Sequence, residues 1–246
     1  MDKNKDSINV YWSENCDING PNWSFLYQKP TSLFSDLNKI KEKISDNFLT
    51  CPAVSNKFKK TLVFKNSLPS SYVYDSELIT PTSSNYIDAT KWRDPSLSFG
   101  PIYKFSSSVC LFSEEPLNTF FTPPYFHKPE YTQYGACIPG EFDIGKWYRP
   151  YHFEVQMWKE SGEFNIKEDE PLYYVNFQTD KQINLYRFNN SQLLTNYYEA
   201  CIGTTSLFGR GQSLISRYDR FKKVGLKEKI LTEIKKNLIE EEPYKF

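Results

Sequence analysis

The chain has 246 residues, 39% of them hydrophobic and 17% aromatic, and its 30 basic side chains balance 30 acidic ones. Such a chain can form one large all-β domain, or one domain with an appended helical segment. A formal charge of zero removes the usual drive for non-specific nucleic-acid binding, and no apolar run approaches the roughly 20 residues that span a bilayer. The five cysteines, Cys16, Cys51, Cys110, Cys137 and Cys201, are dispersed without a paired spacing, as expected of reduced thiols. The first residues carry no apolar signal segment, so a cytoplasmic chain, or one packaged from a cytoplasm, is expected.

Residues 8–27 combine Val10, Tyr11, Trp12, Trp23, Phe25 and Leu26 around a turn at 17–21, which predicts two short strands. Leu33, Leu37, Ile40 and Ile44 recur at helical spacing and predict a helix over 32–48, with Ser32 in the cap region. The Cys51-Pro52 step biases Cys51 away from helix. Thr61 to Lys65 reads as a strand of β-formers.

From 68 to 101 the chain is rich in turns. Tyr72, Val73, Tyr74, Ile79, Tyr86 and Ile87 serve as anchors for short ordered strands. Ile102 to Phe112 predicts another strand. Residues 116–129 (PLNTFFTPPYFHKP) are too proline-dense for a central strand and are expected to run extended over the surface.

The stretch from 142 to 188 is the centre of the β-rich part. Tyr151, Phe153, Val155 and Met157, then Tyr173, Val175 and Phe177, alternate with period two, so one face of each strand meets a core. Gly162 and residues 168–171 supply turns. Beyond 188 the pattern turns helical, over 193–202 and again at Leu214, Ile215, Tyr218 and Phe221. Gly225 suits a left-handed helix end, and Leu226, Ile230, Ile234 and Leu238, with Leu231, form the stripe of a last helix.

His152 and Glu154 lie on the same non-core face of one strand, and two aromatics, Trp147 and Tyr148, precede them. With Tyr151 and Trp158 these six residues make a candidate ligand-binding face, including a stacking platform for sugars or bases. His127, His152 and Glu154 are the alternative, a metal centre of the facial-triad type. That would require both of the chain's histidines, one of them from the proline-rich stretch. Cys51, Cys110 or Cys137 could pair with either histidine, but nothing local supports a nucleophile. No phosphate loop is present, since Gly203 to Gly211 is not followed by Lys-Ser/Thr. Glu141 with Asp143, and Glu168, Asp169 and Glu170, are paired carboxylates of the kind that glycosidases converge across a cleft, and the 168–170 cluster before Pro171 reads more simply as a charged turn. The basic run Arg210, Arg217, Arg220, Lys222 and Lys223 reads as a solvated helix face.

Three segments, Cys51-Pro52-Ala53, RPYHFEV from Arg149 and SRYDRFKKVGL from Ser216, resemble uncharacterised proteins of tailed phages that infect marine bacteria. The resemblance implies a phage-encoded chain working in the host cytoplasm or the virion. It transfers no catalytic residue.

These readings predict a mainly β protein, a sandwich or jelly-roll-like barrel, with one N-terminal helix and a helical C-terminal segment. Residues 1–190 would form the β core. Residues 191–246 would pack on it or contact a partner, by association with another protein or with itself. The expected function is non-enzymatic binding or assembly, without a cofactor, nucleic acid or membrane. A metal-dependent enzyme on a jelly-roll scaffold and a carbohydrate-binding module are the alternatives.

Overall fold

The computed structural model describes residues 7–14, 29–40, 48–83, 89–93, 100–202, 221–239 and 242–246. The expected turn at 17–21 and the residues Cys16, Trp23, Phe25, Leu26, Ile44, Tyr86, Ile87, Leu214, Ile215 and Tyr218 lie outside them. So do Gly203 to Gly211, and Arg210, Arg217 and Arg220 of the basic run.

The described residues form three open sheets, and none closes into a barrel. The first runs β15 (Tyr244–Lys245), β14 (Gln182–Arg187), β1 (Ser7–Ser13), β7 (Ile102–Ser113), β11 (Pro150–Met157) and β9 (Gly135–Cys137), with β6 (Ala89–Arg93) also on β7. The second runs β10 (Gly140–Asp143), β8 (Asn118–Thr122), β13 (Pro171–Phe177), β3 (Thr61–Lys65) and β2 (Thr31–Ser32). A small third sheet joins β12 (Gly162–Ile166), β4 (Ser70–Tyr74) and β5 (Ile79–Pro81).

Period-two alternation sets what each strand buries. On β11, Tyr151, Phe153, Val155 and Met157 enter the core, while His152, Glu154 and Gln156 face the other way and are half-buried. The same core takes Phe64, Phe121, Tyr173 and Val175 from the second sheet, and Tyr72 and Phe164 from the third. Aromatic rings fill most of it, as the composition requires. Phe105 and Phe153 stack at 4.9 Å, and Phe64 and Tyr173 at 5.1 Å.

Both outer faces are covered by helices. α1 (Leu33–Ile40) and α2 (Pro52–Lys59) lay Leu33 and Phe58 against Val63 and Tyr174 on the back of the second sheet. α3 (Gln192–Ile202) and α4 (Leu226–Lys236) lay Leu194, Ile230 and Ile234 against Tyr11, Cys110 and Phe112 on the back of the first. β13 therefore lies between two apolar layers, and all seven of its residues are buried. The final strand, β15, returns to pair with β14.

Three elements differ from the sequence reading. β8 is an interior strand of the second sheet, between β10 and β13, although its surroundings are proline-rich. Its prolines, Pro116, Pro123 and Pro124, all lie beyond its ends, so no ladder donor is lost. α2 follows the Cys51-Pro52 step directly. Cys51 is extended, as expected, but Pro52 opens a helix, where its missing N–H costs nothing. β1 pairs in parallel with β14, across nearly the whole chain, which no local pattern reveals.

Candidate functional site

β11 enters the first sheet from a buried turn that holds Ile144, Trp147 and Tyr148. The expected aromatic platform is not formed. Trp147, Tyr148 and Tyr151 are 2%, 1% and 2% exposed, whereas Trp158 is 58% exposed past the strand's far end. Tyr148 meets Phe112 edge-on at 5.4 Å under the C-terminal helices. The Tyr151 ring points into the core, where its hydroxyl lies 3.0 Å from that of Thr119. Alternation explains the correction: Tyr151 falls on the core side of the strand that puts His152 on the other.

His152 and Glu154 do come together in a concave site. β9 pairs with β11 only along Val155, Gln156 and Met157. One more bond follows, from the Ile138 amide to the Glu154 carbonyl at 2.7 Å. Pro139 has no amide hydrogen, so the ladder ends there and the chain crosses to β10 in the second sheet. The gap left beside β11 is a half-open cleft of about 180 Å³. Phe121, Ile138, Pro139, Gly140 and Phe142 give it apolar walls, and Arg149, His152 and Glu154 give it polar ones. A Cβ added at Gly140 would meet no atom within 4 Å, so that wall is open space.

The electrostatics of the cleft are unusual at His152. Burial, then the charges of Lys104 and Arg149, bring its pKa down from 6.5 to about 3. Its Nδ1 is sealed from water without a hydrogen-bond partner. The imidazole is therefore neutral at any ordinary pH. Among the described residues neither Arg149 nor Glu154 forms an ion pair, and Arg149 makes only a 3.5 Å bond from Nε to the Pro150 carbonyl.

No protein-family model matches the chain, and no curated protein or solved structure matches it either. What the cleft can do must therefore be argued from its own residues.

The facial triad is not assembled. His127 lies behind the second sheet, where its Nδ1 shares a hydrogen bond with the Tyr174 hydroxyl. Its Nε2 is 3.0 Å from Asp36 Oδ2, too poorly aligned for a second hydrogen bond. The other Asp36 oxygen lies 2.8 Å from Lys65 Nζ. His152 faces away from the core on the first sheet, so the two histidines lie against different sheets. Among the described residues no group of three His, Cys, Asp or Glu side chains is placed to hold a metal.

Of the other candidates, Asp143, Glu170 and the buried cysteines are taken up by structure, whereas Cys51 is exposed. Asp143 accepts from the Leu117 and Gly145 amides at 2.9 and 2.8 Å, and Glu170 accepts from the Lys167 and Glu130 amides at 2.7 and 3.0 Å. These carboxylates tie turns. Cys110 and Cys137 are buried, and burial holds the Cys137 thiol far above its ordinary value, so it is not a nucleophile. Sequence reasoning missed Arg149 and the 138–140 crossing as parts of the site. The available signal was the Pro139-Gly140 break between two β-forming runs.

Asp36 and His152 should give acid lability in separate pH windows. Burial alone would raise the Asp36 pKa, but the hydrogen bond from Lys65 and the close approach of His127 outweigh it and lower it from 3.8 to about 2. Its stabilisation is present above 3.8 and is lost as pH falls towards 2. His152 acts earlier. Between pH 6.5 and 3 the unfolded chain binds a proton there that the folded chain does not. Acidification through that window thus costs up to about 1.4 kcal/mol per pH unit. In urea titrations, His152→Gln is expected to flatten the stability profile from pH 6.5 to 4, and Asp36→Asn to leave that slope in place. An unchanged slope in His152→Gln would show that the ring is hydrated in solution.

Proposed function

We propose that the chain is a non-enzymatic binding protein and that the cleft beside His152 is its ligand site. One observation carries this: the only histidine in the cleft has its Nδ1 buried without a hydrogen-bond partner, and that burial lowers its pKa to about 3. A general base works best with a pKa near the operating pH, and this ring is several units too reluctant to take a proton. It remains a good polar wall, able to donate or accept one hydrogen bond without titrating. A concave site with apolar walls and a few convergent polar groups is the usual form of a small-ligand pocket.

Arg149 to His152 and Glu154, from the segment that resembles tailed-phage proteins, line the cleft, and that resemblance is the ground for a phage-encoded role in the virion or on a host component. The second reading is assembly. Tyr125 and Phe126, 48% and 38% exposed with ring centroids 4.8 Å apart, project next to the residue that clasps their loop, His127. Exposed aromatics on a pinned loop suit an anchor in a protein contact.

The test is a pH titration of the two histidine rings by NMR, assigned with His152→Gln. The His152 signals are expected to stay constant from pH 8 to 4. A midpoint near neutral pH would restore a proton-transfer role and sink the non-enzymatic reading.

A further inference from the structure

We infer that the cleft beside β11 takes a small carboxylate with a compact apolar group, its anionic end at Arg149 and His152. The inference rests on the cleft being a ligand site, and it adds the chemical class of the ligand.

The charges are laid out along the strand. Arg149 stands just before β11 and Glu154 near its middle, so the residues carrying them are separated by roughly 13 Å or more at 3.3 Å per residue. His152 lies between them, yet the charges acting on it are both cationic, from Lys104 and Arg149. At that end of the cleft the positive charge is that of Arg149. Glu154 opposes an anion at the other end, where Lys104 is its cross-strand partner on β7. Arg149 has no carboxylate partner among the described residues, and its planar fork suits a carboxylate with two parallel bonds. A neutral imidazole beside it can donate a further hydrogen bond to the anion without adding charge.

The remaining walls select the other end of the ligand. Phe121, Phe142 and Ile138 offer ring faces and aliphatic surface but no polar side chain. A space of about 180 Å³ is of the size of one six-membered ring plus its carboxylate. Gly140 belongs to the same lining, and a Cβ there meets no atom within 4 Å, so a larger side chain at this position has room to fill the open side of the cleft.

The experiment uses the full chain and three probes of one shape: benzoate, benzyl alcohol and benzylamine. Binding is followed through the His152 ring signals in wild type, Arg149→Met and Gly140→Val. Benzoate is expected to shift those signals saturably, and the alcohol and the amine to bind at least tenfold more weakly. Arg149→Met should weaken benzoate at least tenfold and leave benzyl alcohol unchanged. Gly140→Val, whose Cβ would meet no atom within 4 Å, should remove all three responses. Equal binding of the three probes, still lost in Gly140→Val, would keep the cleft as a ligand site and overturn the carboxylate class. Silence at His152 for every probe would overturn the cleft and the class together. Benzoate binding that survives Gly140→Val would place the anion elsewhere and overturn the inference.

Discussion

Replacing Phe153 by alanine is expected to remove about 3–5 kcal/mol of stability. The ring is fully buried and joins two layers. It stacks on Phe105 of the same sheet at 4.9 Å and 10°, and packs against Tyr173 of the facing sheet at 5.4 Å. Tyr131, whose hydroxyl donates to the Leu172 carbonyl at 2.5 Å, lies at 6.4 Å from it. Truncation forfeits the transfer energy of the ring and opens a cavity between two hydrogen-bonded ladders. Neither ladder can move inward without breaking its pairing, so the cavity persists. Urea denaturation should show a lower midpoint with an unchanged slope. Glu163→Ala, on the exposed face of β12, should stay within about 0.5 kcal/mol of wild type. A loss under about 1 kcal/mol for Phe153→Ala would mean that the two sheets do not share this core.

What the sequence disclosed follows from how local each signal is. Alternation at Tyr151, Phe153, Val155 and Met157 is a property of eight neighbouring residues, and it places the core face of β11 correctly. The four-residue spacing of Ile230 and Ile234 is equally local, and both side chains are fully buried. Partners distant in sequence left no such trace. Nothing near Ser7 announces Gln182 as its partner in the β1–β14 ladder, and nothing near Thr119 announces Phe177 across β8 and β13.

The site divides in the same way. His152 and Glu154 could be placed on one face because strand geometry is periodic. Arg149 and the 138–140 crossing join them only through a change of sheet at Pro139 and Gly140, which is tertiary information. The aromatic group failed for a related reason. Trp147, Tyr148 and Tyr151 are close in sequence, but the turn before β11 and the strand's alternation send them to different layers. Tyr148 contributes to the apolar cluster under the C-terminal helices and Tyr151 to the central core. In a chain so rich in aromatics, proximity in sequence says little about which layer a ring belongs to.

Ile234→Ala is expected to cost about 2–5 kcal/mol, because the stripe on α4 is spent on the chain's own sheet. Ile230 and Ile234 are fully buried against the back of the first sheet, in the cluster that holds Tyr11, Phe112 and Phe188. The helix is also fixed at its ends. Gly225, with φ +63°, supplies the left-handed residue before its first turn, and the Asn189 amide donates to the Asn237 carbonyl at 2.9 Å beyond its last. A helix of eleven residues is marginal on its own, so its docking energy is its main support. Lys229→Ala, exposed on the opposite side of α4, should be close to neutral, and Leu231→Ala, half-buried, should fall between. The ordering of the three variants matters more than any one value. If Ile234→Ala matched Lys229→Ala, α4 would be undocked in solution and its apolar stripe would be free for a partner, the assembly reading in its simplest form. If the large loss is found, association with another chain must use side chains that remain outside, such as Leu193, Val224 and Ile239, rather than the stripe itself.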